Sequence, residues 1–219
     1  MAIVPAGTGD HEADALIAAV SAEASSQPPS SPTLLEGKSY LSLIAHVPAQ
    51  LSARVLDFKR SVGLEDPMNA HITVYVGELT DERAQMLSSA EFARSLQQLG
   101  TFQTALGAVA SFRPVTEIDY LAVTEGFEHF ESLRERCIAA LGKSASPFPY
   151  VPHMTLGNGL SEAQREQLER EFSSLPAQEE RFMVRTLHAY AFDGSLWQPL
   201  GAIALDGGCA EASESVDGG

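Results

Sequence analysis

The sequence has little to staple it and nothing to anchor it in a bilayer. Its 219 residues include two cysteines, Cys137 and Cys209. Two thiols make no disulfide framework. Cys137 falls in a helical pattern and Cys209 in a polar tail, so both read as free thiols and a cytoplasmic location is expected. No run approaches 18 apolar residues, so no membrane span is expected. The opening MAIVPAGTGDHEADALIAAV lacks a basic stretch ahead of an apolar core, so no secretory signal is expected. Basic residues are scarce: 14 Lys and Arg against 29 Asp and Glu, a net charge of −15. All 14 lie between Lys38 and Arg185, where 20 acids of residues 38–205 leave a net −6. The other 9 acids lie in two tails with no basic residue beyond that core. An acidic core argues against long duplex nucleic acid as a ligand, because tract binding needs a basic stripe. A single nucleotide in a small pocket stays compatible with it.

What is present is a patterned core between polar tails. SAEASSQPPSSPT and DGGCAEASESVDGG have low hydrophobicity and charge of one sign, so residues 1–37 and 206–219 are expected to be disordered. Residues 38–205 read as one folded unit with two lobes, 38–113 and 114–205. Strand patterns at YLSLIAHV, AHITVYVG and FQTALGAVASF alternate with helical spacing in PAQLSARVLDFKRSV and TDERAQMLSSAEFARSLQQL. The second helix starts at Thr80 and is expected to break near its two serines. The order then recurs: strand IDYLAVT, helix FEHFESLRERCIAALG with a Gly142 stop, strand YVPHMTLGNG, and helix SEAQREQLEREFSSL with a capping box at Ser161 and Gln164. RFMVRTLHAYAF reads as one long strand, and LWQPLGAIAL as another. Tyr40-Leu41 matches Tyr120-Leu121, and Phe102 and Phe112 match Phe182 and Phe192, at an offset of 80. Such a repeat implies two similar lobes, each with a marginal core alone, packed through a shared face. The two lobes are expected to face each other across a cleft.

The repeat carries the chemistry. In AHITVYVG, alternation puts His71 and Thr73 on one face of a strand and turns Ile72, Val74 and Val76 to a core. PHMTLG repeats the pattern at His153 and Thr155, 82 residues later, again before a glycine turn and a helix. One His-x-Thr arises often by chance; two in equivalent places of a repeat do not. Two imidazoles across a reacting centre can act as base and acid near neutral pH. Two hydroxyls can donate to the non-bridging oxygens of a phosphate. In-line hydrolysis of a phosphodiester needs that set.

With HITV and HMTL, the YLSLIAHVP opening, the GAVASFRP strand and the closing LHAYAFDGSLWQPLGAIAL, residues 38–205 resemble the two-histidine (2H) phosphoesterases, including the 2′-5′ RNA ligase and RNA 2′,3′-cyclic phosphodiesterase branch. The resemblance implies an α+β fold, bilobal and pseudo-twofold, with antiparallel sheets lining a central cleft and helices outside, catalytic His71 and His153, and phosphate-binding Thr73 and Thr155. It implies metal-independent hydrolysis of 2′,3′-cyclic phosphates or 2′-5′ linkages, with a small nucleotide or an RNA terminus as partner. Many relatives carry a basic residue shortly after the second motif. Here Gly157 and Asn158 stand there, and Arg113, Lys143 or Arg185 are the candidate replacements.

Other residues are open between site and scaffold. By alternation Tyr75 shares the His71 face and lines the cleft or rims the core. Tyr150 flanks the second motif. Phe148 lies in the loop SPFPYVP and serves as ligand wall or hydrophobic anchor. His46 ends the first strand within reach of the cleft. Trp197 is expected in the core, and His129 and His188 as structural or solvated. GNG at 157–159 is a turn, too short for a phosphate loop. Neither motif has a second ligand at metal spacing, so no metal and no cofactor are expected. His153 is assigned as base and His71 as acid, with pseudo-symmetry leaving the reverse assignment open, in a monomer. The alternative is a non-catalytic nucleotide- or partner-binding module on the same two-lobed scaffold.

Overall fold

The computed structural model describes residues 39–64, 69–192 and 197–206. The two tails expected to be disordered, with Cys209, lie outside the described residues apart from Asp206. The fold is α+β. Eight strands, β1 (Tyr40–His46), β2 (His71–Glu78), β3 (Phe102–Ser111), β4 (Ile118–Glu125), β5 (His153–Asn158), β6 (Arg181–Val184), β7 (Thr186–Phe192) and β8 (Trp197–Ala204), form one antiparallel sheet. Its order is β6-β3-β4-β5-β2-β1-β7-β8. The expected separate sheets are thus one sheet, because β2 and β5 meet at its middle through the Ile72–Met154 pair. Outward from that junction the order reads β2-β1-β7-β8 on one side and β5-β4-β3-β6 on the other.

The RFMVRTLHAYAF run is not one strand. It divides at Arg185 into β6, beside β3, and β7, beside β1. One residue joins the two flanks, and consecutive Cα atoms are only about 3.8 Å apart, so the sheet must curl to bring its flanks together.

Among the described residues six helices accompany the sheet: α1 (Ala49–Ser61), α2 (Asp81–Leu87), α3 (Ala90–Gln97), α4 (Phe127–Leu141), α5 (Glu162–Phe172) and α6 (Ala177–Glu180). The serine pair separates α2 from α3. The Thr80 hydroxyl caps α2 by accepting from Arg83 N at 3.3 Å, and Ser89 caps α3 by accepting from Phe92 N at 3.1 Å. Such caps are each worth about 1 kcal/mol. The Ser161–Gln164 capping box opens α5. On α4, Phe130, Leu133, Cys137 and Leu141 form one buried stripe at helical spacing. It packs into the same core as Leu41, Leu43, Ile72, Val74, Met154 and Leu156. Gly142 ends α4 at φ +82, a conformation that favours glycine. Cys137 is a free thiol in this core, and burial pushes it up to about 12.

Two bulges shape the centre of the sheet. In the β1–β2 ladder Leu43 pairs with Tyr75 but Ile44 pairs with Thr73, so Val74 is left without a partner. In the β4–β5 ladder Asp119 pairs with Gly157 but Tyr120 pairs with Thr155, so Leu156 is left over. Both extra residues follow the threonine of a His-x-Thr motif. A bulge interrupts the period-2 alternation. Val74 and Tyr75 are consequently both buried, while Val76 turns to the His71 side, the reverse of what alternation predicts for Tyr75 and Val76. The Tyr75 hydroxyl lies under the sheet, donating towards the Leu141 and Gly142 carbonyls, each at 3.2 Å.

The constant 80-residue offset also needs correction. Ile44 and Tyr120 hold equivalent places opposite the two threonines, 76 residues apart, whereas the motifs are 82 apart. Phe102 and Phe182 are not equivalent. They belong to neighbouring strands β3 and β6 of the same half of the sheet.

Candidate active site

The two motifs meet at the β2–β5 junction. Ile72 and Met154 are register partners and fully buried. Continued by one residue each way, that register sets His71 across from Thr155 and Thr73 across from His153. All four are half-buried on the face opposite the main core. Diagonal neighbours across an antiparallel pair, the relation of His71 to His153, are roughly 7–8 Å apart. Burial, and to a smaller degree the His71 charge, opposes protonation of His153.

Each ring is held in the same way. His71 Nδ1 lies 2.7 Å from the Asn69 carbonyl, and His153 Nδ1 lies 2.7 Å from the Val151 carbonyl. A carbonyl only accepts, so Nδ1 carries the proton in both rings. Each Nε2 of a neutral ring is then an acceptor, and of a charged ring a donor. The identical tether, to the carbonyl two residues before each strand begins, gives two imidazoles with the chemically active nitrogen at the far side of the ring.

The surroundings of the two histidines differ. The Phe112 and Tyr120 rings meet His153 edge-on, at 4.9 and 5.2 Å between centroids. Burial there depresses the His153 pKa, partly offset by the Val151 hydrogen bond. On the other side, His46 is the register partner of His71. His46 shares a 3.1 Å hydrogen bond with the Tyr190 hydroxyl and packs 4.4 Å from His188. Desolvation first, then His188 and His71, lowers His46 to about 4. His188 is thus a half-buried structural partner of His46.

A cavity of about 560 Å³ opens beside His153 and Thr73. Its volume suits a nucleotide-sized ligand. Phe148 and Tyr150 line it, as do Val76, Phe112 and Ile118. Tyr150 also donates to the Thr73 carbonyl at 3.0 Å, which ties the loop before β5 to β2. His71, Thr155 and His46 lie outside this lining, and His46 instead borders a smaller pocket of about 400 Å³ against α1. Tyr75 is in the core and lines neither. Trp197 is partly exposed and packs on Phe192 at the sheet edge, 4.8 Å between centroids, instead of filling the core.

Three cations reach the cavity: Arg83, Arg134 and Lys143. Of the candidate replacements for the basic residue after the second motif, Lys143 is the one that lines it. Arg113 is engaged with Glu117 at 3.1 Å and with the Leu160 carbonyl at 3.0 Å. Arg185 is exposed at the β6–β7 crossing. Gly157 faces the core, where a Cβ would come within 2.8 Å of Leu160, so the packing favours glycine there. Arg83 and Arg134 carried no signal in the sequence, because each is an ordinary surface-type residue of a helix. Among the described residues no group of three or more His, Cys, Asp or Glu is placed to hold a metal ion.

A family model described as the 2′-5′ RNA ligase superfamily matches residues 48–195, a span that holds both His-x-Thr strands. The chain belongs to this superfamily. No curated protein matches it. Among solved structures, it is similar to Escherichia coli LigT complexed with phosphate, at 16% identity over 78% of this chain and 99% of that one, with a TM-score of 0.52. It is likewise similar to TT0787 of Thermus thermophilus, at 17% identity over 77% and 98% of the two chains, TM-score 0.52. A structure described as a phosphoesterase gives 18% identity, 77% and 98% coverage and the same score. At these identities the likeness speaks for the fold, which this superfamily member shares with LigT. Among its described residues no helix is long and apolar enough to cross a membrane.

Proposed function

We propose that this 2′-5′ RNA ligase superfamily protein is a metal-independent phosphodiesterase that opens 2′,3′-cyclic phosphates, or cleaves 2′-5′ linkages, at a nucleotide or RNA end. The observation that carries the reading is the matched pair of Nδ1 tethers on His71 and His153, each 2.7 Å to the carbonyl two residues back. A binding scaffold has no need of two imidazoles in the same tautomer. The two-lobed, pseudo-twofold reading belongs to the same proposal, and the paired bulges after Thr73 and Thr155 support it.

In the proposed step a phosphodiester sits between the rings, with Thr73 and Thr155 hydroxyls donating to its non-bridging oxygens. Neutral His153 takes a proton from water through Nε2 as the water oxygen bonds to phosphorus. The opposite phosphorus–oxygen bond breaks, and protonated His71 gives its Nε2 proton to the leaving ribose oxygen. The apolar wall of Phe112 and Tyr120 suits His153 to the base role, since burial keeps it uncharged. That LigT, which shares the fold, was solved with phosphate bound agrees with a phosphate ligand here.

The test is incubation with the four nucleoside 2′,3′-cyclic monophosphates and an ADP-ribose cyclic phosphate in EDTA, with products read by phosphorus NMR. Opening of at least one ring is expected. Recovery of every compound unchanged, with one of them tightly bound, would turn the assignment to the binding-module alternative.

A further inference from the structure

The cavity beside His153 runs away from the histidines along β2, and cations line it from the level of the Val74 carbonyl to that of the Glu78 carbonyl. Arg134, on α4, donates to the Val74 carbonyl at 3.3 Å and lies over the Tyr150 ring at 4.5 Å. Arg83, on α2, donates to the Glu78 carbonyl at 2.6 Å and towards the Lys143 carbonyl at 3.5 Å. Lys143 itself lines the wall. The ion pairs among the described residues engage other arginines, including Arg54, Arg113, Arg165 and Arg181. In an acidic protein, three cations without a carboxylate partner among the described residues thus converge on one cavity. One carboxylate, Glu78, shares its rim. Backbone carbonyls hold both guanidiniums in place, and each guanidinium has five N–H donors. A cation fixed by neutral carbonyls keeps its charge available to an incoming anion.

Spacing limits what the anion can be. From Thr73 to Glu78 is five residues of strand, roughly 16 Å at ~3.3 Å each. From a phosphorus on a ribose 2′ oxygen to one on the 5′ oxygen is about seven covalent bonds of ~1.5 Å, under ~10 Å end to end. Arg134, at the Val74 carbonyl, lies one residue past Thr73; a 5′-phosphate passes it and reaches Lys143, the neighbour of Ser144 at the Val76 carbonyl, and a 5′-diphosphate reaches Arg83 at the Glu78 carbonyl. Val76 and Phe148 offer apolar wall to the nucleoside between.

We propose that the cavity is a subsite for further phosphate groups: it takes a nucleotide whose scissile phosphate lies at Thr73 and His153 and whose 5′-phosphate or 5′-diphosphate is held by Lys143 and Arg83. The assignment rests on the phosphodiesterase reading for the position of the scissile phosphate. It separates nucleoside cyclic monophosphates, which do not reach Lys143 and Arg83, from nucleotides that do.

Calorimetric titration of the full chain with three ligands tests it: adenosine 2′-monophosphate, adenosine 2′,5′-bisphosphate and 2′-phospho-ADP-ribose. Each additional charge-assisted contact is worth about tenfold in affinity. Affinity is expected to rise about tenfold from the first ligand to the second for a 5′-monophosphate site, or from the second to the third for a diphosphate site. The gain should shrink with added salt. Lys143→Gln, at an exposed position, and Arg83→Gln should each bind the ligands with a preference reduced about tenfold, with melting curves recorded to confirm folding. Equal affinity of the wild type for all three ligands overturns the subsite, as does a preference that survives both substitutions. A wild type that discriminates among the ligands but opens no cyclic phosphate upholds the subsite and removes the catalytic reading. One that opens cyclic phosphates but binds the three alike removes the subsite alone. Binding of none of them overturns the subsite, and the catalytic reading is then decided by ring opening alone.

Discussion

Replacing His153 by asparagine isolates the nitrogen assigned to catalysis. The asparagine amide places an N–H near the former Nδ1, where it can still donate to the Val151 carbonyl, now 2.7 Å from the ring. Nε2 disappears. His71→Asn does the same against the Asn69 carbonyl. With the tether kept, folding stability should stay within about 1 kcal/mol of wild type, the net worth of one hydrogen bond. A general acid or base contributes about 10²–10⁴ in rate, or roughly 3–5 kcal/mol in the barrier. Each single variant should therefore lose that factor in kcat on adenosine 2′,3′-cyclic monophosphate, followed by phosphorus NMR in EDTA. Acid and base work on one phosphorus in one step, so their effects should not multiply: the double variant should fall little below the weaker single variant. Single variants within tenfold of wild type would refute the reasoning, and so would a double variant whose loss is the product of the two.

Burial lowers the His153 pKa, so the rising limb of kcat/KM against pH should lie below 6.5, and Phe112→Ala, which wets the ring, should move it upward. A limb that stays in place would separate the aromatic wall from the base. His46, lowered to about 4, together with His153 and His188, also lowered, makes stability depend on pH. Their unfolded value near 6.5 exceeds the folded one, so the unfolded chain binds more protons between about 4 and 6.5; stability is complete above that window and declines as pH falls through it. Melting temperatures from pH 7.5 to 4.5 should fall accordingly, and His46→Asn should flatten the decline. Tyr75→Phe removes a hydroxyl directed at the Leu141 and Gly142 carbonyls and should cost about 1–2 kcal/mol in denaturant unfolding, with kcat changed less than twofold. A large kcat effect would place Tyr75 back in the site.

Much of this protein is local, and local features can be read along the chain. The Thr80 and Ser161 caps, the buried stripe Phe130–Leu133–Cys137–Leu141 and the two His-x-Thr strands depend on residues within one or two turns or strand repeats of one another. Side-chain chemistry and the 3.6- and 2-residue periods determine them before any tertiary contact forms. Tyr75 shows where that reasoning stops. Its side follows from the unpaired Val74, and a bulge belongs to a pair of strands, with Ile44 reaching Thr73 across the ladder. The split at Arg185 is of the same kind, since β6 and β7 are separated by the partners they find at opposite flanks of the sheet.

The sequence by itself determined which residue types recur, His71 with Thr73 and His153 with Thr155, and that each pair shares a strand face. Tertiary structure alone decided that Ile72 and Met154 lie side by side, that Phe112 and Tyr120 shield one histidine while His46 neighbours the other, and that Arg83, Arg134 and Lys143 border one cavity. The physical reason is distance along the chain: these groups come from segments tens of residues apart, and their juxtaposition is set by sheet register and helix packing, which no single segment encodes.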